Sequence, residues 1–66
     1  MQNNLKSVRV KMGLTQVQVA DKAHLSERGY QYIEAGKRIP NVYLAIEIAK
    51  ALEITVEDAF CLAVTE

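Results

Sequence analysis

Residues Leu14 to Glu34, LTQVQVADKAHLSERGYQYIE, carry two helix-start signals so close together that they fix the local architecture. Thr15 precedes Gln16-Val17-Gln18, and the spacing Thr15-x-x-Gln18 is a capping box, in which a hydroxyl accepts an early N–H and the glutamine amide reaches back to the cap. A helix therefore starts at Gln16. Val17, Val19, Ala20 and Ala23 give it a small apolar side, and small Ala20 permits close approach by a neighbour. His24-Leu25 interrupts that pattern, and Ser26 then offers a second cap. The following helix carries Tyr30 and Ile33 inward. Two short helices joined by a tight turn result.

The flanking segments are helical as well. Asn3 or Asn4 is placed to cap a first helix with Leu5, Val8 and Met12 on one face, and Gly13 stops it. Arg9 lies at the margin of that face, where it is either solvated or paired with an acid from another helix; Glu34 is the obvious partner. In AGKRIPN, Gly36 ends the third helix and Pro40 prevents its resumption, leaving Lys37 and Arg38 in a loop. Asn41 caps a fourth helix with a broad buried face of Leu44, Ala45, Ile48, Ala49 and Leu52, off which Ile46 falls. Thr55 opens a short fifth helix, with Asp58 placed to return the cap and Phe60 the sole phenylalanine to plug a core. With no hairpin signal, repeat or low-complexity stretch, the pattern predicts one all-α domain of five helices over residues 1–66.

Composition narrows the function. A chain of 66 residues is near the lower size limit for a single core, and 50% of it is hydrophobic, so every helix must contribute to that core. Cys61 is the one cysteine and His24 the one histidine, which leaves no internal disulfide and no metal-ligand set, and points to a reducing, cytoplasmic setting without cofactor. No apolar run approaches the roughly 18 residues of a membrane span, and MQNNLKS lacks a secretory apolar stretch, so a soluble, unprocessed chain is expected. No nucleophile with a base, paired carboxylates or phosphate-gripping glycine loop is visible, which argues against an enzyme. The net charge is zero but unevenly spread: residues 1–40 hold seven cations against three acids, giving +4, and residues 41–66 hold one against five, giving −4. Such a dipolar chain suits a basic end that meets phosphates, although each charge also serves as the solvated face of a helix.

The paired helices have the layout of a helix-turn-helix, which places its second helix in the DNA major groove. With Leu14-Thr15-Gln16, Ala20, Leu25-Ser26, Tyr30, Ile33-Glu34, Gly36-Lys37-Arg38, Pro40 and Ile48-Ala49-Lys50-Ala51-Leu52 followed by Ile54-Thr55, the chain resembles the lambda-repressor-like, Cro/C1-type (XRE) helix-turn-helix domains over about residues 4–60. The resemblance implies a five-helix DNA-binding domain, operator binding by a homodimer, and transcriptional control. It also implies that Gln16, Lys37 and Arg38 contact phosphates, that Glu27, Arg28, Gln31 and Tyr32 face bases, and that Arg9 and Glu34 form an internal ion pair.

Three positions depart from the family pattern. His24 and Glu53 stand where it commonly has glycine, which suggests left-handed backbone at both. Gly29 lies inside the reading helix, where it either lowers stability or allows close approach to DNA. One domain reads few base pairs, so specificity requires two copies, and the dimer surface is expected around Ile54, Phe60, Leu62 and Val64, with Phe60 alternatively in the core. The rival reading is an antitoxin or protein-interaction module acting through a protein partner, because Tyr43, Ile46, Leu62 and Val64 could form an apolar surface.

Overall fold

The computed structural model describes residues 3–60 and consists of five helices: α1 (Leu5–Lys11), α2 (Gln16–Lys22), α3 (Glu27–Glu34), α4 (Val42–Ala51) and α5 (Val56–Phe60). There is no strand among the described residues.

One connector is used three times. Each of Gly13-Leu14-Thr15, His24-Leu25-Ser26 and Glu53-Ile54-Thr55 places a residue with positive φ (72°, 60° and 58°) directly after the helix C-cap. An apolar residue follows, and then a hydroxyl that caps the next helix. The backbone closes each helix by the same pair of hydrogen bonds, for example His24 N–H to Asp21 C=O at 3.2 Å and Leu25 N–H to Ala20 C=O at 2.8 Å, which is the Schellman arrangement. Leu14, Leu25 and Ile54, the apolar members, pack partly buried against the core. The hydroxyls then accept from the first turn: Thr15 from Gln18, Ser26 from Gly29 and Thr55 from Asp58, each at 3.1 Å. Thr15 completes the expected capping box, its own N–H donating to Gln18 Oε1 at 2.8 Å.

The α3–α4 connection begins in the same way and then departs. Gly36 has φ 78°, and the N–H groups of Gly36 and Lys37 close α3 on Ile33 and Tyr32. The position that elsewhere holds Leu or Ile is Lys37, and Arg38-Ile39-Pro40 are inserted before the cap Asn41, whose Oδ1 accepts from Leu44 N–H at 2.8 Å.

The core is assembled from all five helices. Tyr30, Leu5, Ile33, Ile48, Leu52 and Val19 are its largest fully buried side chains, and burial of each aliphatic one contributes roughly 1.5–3 kcal/mol. Ala20, Ala23, Ala49 and Ala59 are also buried, so α2, α4 and α5 present small residues where they approach their neighbours. The α1 N-terminus is tied down by two asparagines. Asn3 Oδ1 accepts from Leu5 N–H, while its Nδ2 donates to the Ile33 and Glu34 carbonyls at the end of α3. Asn4 Nδ2 donates to the Asp58 carbonyl and Asn4 N–H to Ala59. The two residues thus close the chain's beginning onto α3 and α5.

Two side chains stand elsewhere than their pattern suggests, and a third settles between two alternatives. Val17 is 53% exposed because it points more than a quarter turn away from the buried Val19–Ala20–Ala23 side. Met12 has the azimuth of Leu5 but serves as the α1 C-cap and is 37% exposed. Phe60, placed by sequence at a dimer surface or in the core, is a core residue at 3% exposure. Leu62 and Val64 lie outside the described residues.

Candidate nucleic-acid interface

Helix α3 divides cleanly into two sides. Gly29, Tyr30 and Ile33 are buried, while Glu27, Arg28 and Tyr32 are exposed and Gln31 partly so. At 100° per residue, Glu27, Gln31, Arg28 and Tyr32 occupy one arc of about 140°. The fold thus brings the four expected base-reading residues together on one face. Within it, Gln31 Nε2 donates to Glu27 Oε2 at 3.1 Å, a contact allowed by their i, i+4 spacing. That pair leaves the Gln31 carbonyl oxygen and one amide hydrogen for an outside partner.

The other end of α3 is fastened to α1 and α2. Arg9 Nε donates to Glu34 Oε2 at 2.9 Å and its NH2 to Oε1 at 3.2 Å, a two-pronged ion pair with side chains 14% and 5% exposed. Arg9 NH1 also donates to the Leu14 carbonyl, so the guanidinium spans the α1–α2 turn. Gln16 Nε2 donates to Glu34 Oε1 at 3.0 Å. The first residue of α2, expected to meet a phosphate, is thereby positioned by the last residue of α3, and one amide hydrogen remains for an anion. Sequence reasoning missed this link, because no spacing rule joins residues on different helices.

Burial alone would push the Glu34 carboxyl up, but its hydrogen bonds to Arg9 and Gln16 and the nearby Tyr30 hydroxyl more than offset that, and it is held below its ordinary value. Arg9 is correspondingly held in its charged form, chiefly by its hydrogen bond to Glu34. The Tyr30 hydroxyl is fully buried beside this pair and has no hydrogen-bond partner among the described residues. Burial first, and then the neighbouring carboxylate, keep it protonated.

Lys37 and Arg38 both lie exposed on the connection that follows α3. Their backbone N–H groups converge on the Tyr32 carbonyl at 2.9 and 3.3 Å, so this segment is anchored to α3 and is not a free loop. The Arg38 side chain runs back along α3 to Gly29, where NH1 lies 3.6 Å from the position a Cβ would take. Lys37 fills a slot that three other connectors give to a core-packing Leu or Ile. A cation there forgoes apolar packing and adds charge beside the exposed arc of α3.

Among the described residues no cluster of His, Cys, Asp or Glu could hold a metal ion, and no helix is long and apolar enough to cross a membrane. A second surface feature lies away from α3. Ile39, Pro40, Val42, Ala45, Ile46, Val56 and Phe60 line an apolar groove of about 380 Å3, with the Tyr43 ring, 81% exposed, on the same helix turn as Val42. The Ile39 and Pro40 walls of that groove come from the inserted part of the α3–α4 connection.

Comparison with known proteins agrees with this architecture. A helix-turn-helix family model matches residues 5–58. The chain is similar to an uncharacterized HTH-type transcriptional regulator, YgzD, of Bacillus subtilis, with 31% identity over 62 residues covering 94% of each chain. It is also similar to MJ0272, another uncharacterized HTH-type transcriptional regulator, from Methanocaldococcus jannaschii, with 40% identity over 60 residues and 91% of each chain covered. Among solved structures, the restriction-modification controller protein C.AhdI of Aeromonas hydrophila superposes with a TM-score of 0.79 at 25% identity, over 83% of each chain. With these matches spanning the five helices and the α2–α3 pair, the chain belongs to the Cro/C1-type (XRE) helix-turn-helix family of DNA-binding transcriptional regulators.

Proposed function

We propose that this protein binds an operator as a homodimer, with α3 of each copy in the major groove of one half-site. The observation that carries the proposal is the exposed arc Glu27–Arg28–Gln31–Tyr32, set on a helix whose opposite side is locked into the core and whose two ends are both fixed by side chains. Arg28 and Gln31 offer the donors best matched to base edges, arginine to guanine O6/N7 and glutamine to adenine N6/N7. Glu27 orients Gln31 and also repels phosphate, which favours one register over others. Gln16, Lys37 and Arg38 supply the sequence-independent grip: Gln16 from the start of α2, the two cations from the end of α3.

The second copy is proposed to sit on the apolar groove and on the neighbouring residue Ile54. A homodimer accounts for an exposed groove lined by Ile39, Val42 and Ile46, and brings together the two α3 helices that two half-sites need. A restriction-modification controller has this same fold. Selection of bound sequences from a random DNA pool tests the proposal. Recovered sites should be two-fold symmetric, with half-site centres about 10 bp, or roughly 34 Å, apart. Recovery of no shared sequence, together with salt-insensitive capture of a protein, would replace it with the antitoxin or protein-interaction reading.

A further inference from the structure

Gly29 is buried although its neighbours Arg28 and Tyr32 are exposed, and the atoms nearest the space of its missing side chain are the Ser26 hydroxyl and the Arg38 guanidinium. It stands at the first position past the exposed arc of α3, on the Tyr32 side. A Cβ there would lie 3.1 Å from Ser26 Oγ and 3.6 Å from Arg38 NH1. The first distance asks the capping hydroxyl to give by a few tenths of an ångström, and the second is ordinary contact. The gap therefore accepts a hydrogen or a methyl, and a longer side chain would occupy the volume now held by the guanidinium.

We propose that Gly29 is the seat of Arg38: the bare turn of α3 holds the guanidinium against the edge of the reading face, making a residue of the α3–α4 connection a fixed part of the DNA-binding surface. This rests on the DNA-binding reading above and assigns Gly29 a positioning role within it. Three features converge on it. Gly29 places inside α3 a residue whose intrinsic helix propensity is about 0.8–1 kcal/mol poorer than that of alanine. The Tyr32 carbonyl holds the Arg38 backbone, so the side chain starts from a defined point on the same helix. Arg38 also heads the three residues that distinguish this connection from the other three. A pre-placed guanidinium loses less freedom when it meets a phosphate than one swinging on a loop.

The seat is tested first without DNA. In the Arg38→Ala protein the Gly29 amide resonance should shift, whereas Lys37→Ala should leave it in place; equal behaviour of the two variants would overturn the contact. Gly29→Ala should keep the dependence of the residue-29 amide resonance on Arg38, since a methyl meets the guanidinium at ordinary contact distance. Binding to a mixed-sequence duplex is then measured across a salt series for the wild type, Gly29→Gln, Arg38→Ala and the Gly29→Gln/Arg38→Ala double variant. Gly29→Gln should melt no lower than the wild type yet lose about one unit of salt slope, matching Arg38→Ala, and the double variant should lose that one unit and no more. Losses that add in the double variant, or a Gly29→Gln protein that binds like the wild type, would overturn the role of the seat. Should the wild-type protein show no salt-dependent binding while Gly29 still reports Arg38, the DNA-binding reading fails and the structural seat stands.

Discussion

Arg9 and Glu34 show how much a few contacts between side chains do in a chain this short. Both side chains are largely buried, so removing one leaves the other charge without a partner, at a cost of about 3–5 kcal/mol, comparable with the whole stability of a small domain. Arg9→Ala and Glu34→Ala should each melt far below the wild type, and the double variant should lose much less than the sum of the two. Additive, small losses of the order of an exposed pair, about 0–1 kcal/mol, would show that the pair contributes little. Acid gives the same test by another route. Glu34 is held below its ordinary carboxyl value of 4.5, so its contribution is complete above about that pH and is lost as pH falls through the lower folded-state value. The difference in melting temperature between wild type and Glu34→Gln should therefore shrink on acidification. Beside the pair, Tyr30→Phe removes a buried hydroxyl that has no hydrogen-bond partner among the described residues but favours the Glu34 carboxylate, and the two effects oppose, so urea unfolding should change by less than about 1 kcal/mol. From sequence, the meeting of Arg9 with Glu34 was suggested by family resemblance and by the position of Arg9 at the margin of a face. The capture of Gln16 and the unpartnered Tyr30 hydroxyl depend on how three helices converge, which no local pattern encodes.

At the scale of elements, the helices are short and their ends carry much of the design. Caps were legible because their chemistry is local: Thr15, Ser26, Asn41 and Thr55 each accept from an N–H three residues on. The left-handed backbone at His24 and Glu53 was legible as well, by comparison with glycine in the family. The threefold connector is written in the sequence as Gly13-Leu14-Thr15, His24-Leu25-Ser26 and Glu53-Ile54-Thr55, yet its unity emerges only when the paired hydrogen bonds are seen. It predicts a stability series. His24→Gly and Glu53→Gly should each stabilise by about 1 kcal/mol in urea denaturation, since glycine accepts positive φ without a Cβ conflict. Gly13→Ala should cost about 1 kcal/mol through backbone strain alone, because no atom lies within 4 Å of the added methyl. Exposed Val17 and Met12 were less legible, since a seven-residue helix has too few turns for its apolar positions to define a face sharply.

For the whole molecule, the uneven charge and the two surfaces describe one arrangement. The cationic part of the chain supplies Arg28, Lys37 and Arg38 around α3, while the acidic part supplies α4 and α5, where the apolar groove lies. The inserted residues of the α3–α4 connection touch both: Arg38 turns back to α3, and Ile39 and Pro40 wall the groove. Sequence placed Ile46 off the α4 core face but could not assemble a groove from three separate segments. Ile46→Glu should put a charge into that groove and shift sedimentation from dimer toward monomer, with weaker operator binding and an unchanged helical signal; unchanged sedimentation would move the dimer surface elsewhere.

The most direct test of the central claim, that α3 reads bases while its flanks grip the backbone, is the affinity of Arg28→Ala and Lys37→Ala for a selected operator and for a mixed-sequence duplex. Arg28→Ala should cost about 1–3 kcal/mol on the operator, relax one base position and change little on the mixed duplex. Lys37→Ala should weaken both duplexes alike and lower the salt slope by about one unit. Equal losses from Arg28→Ala on operator and mixed duplex would make Arg28 a phosphate contact and contradict the assignment of the reading face.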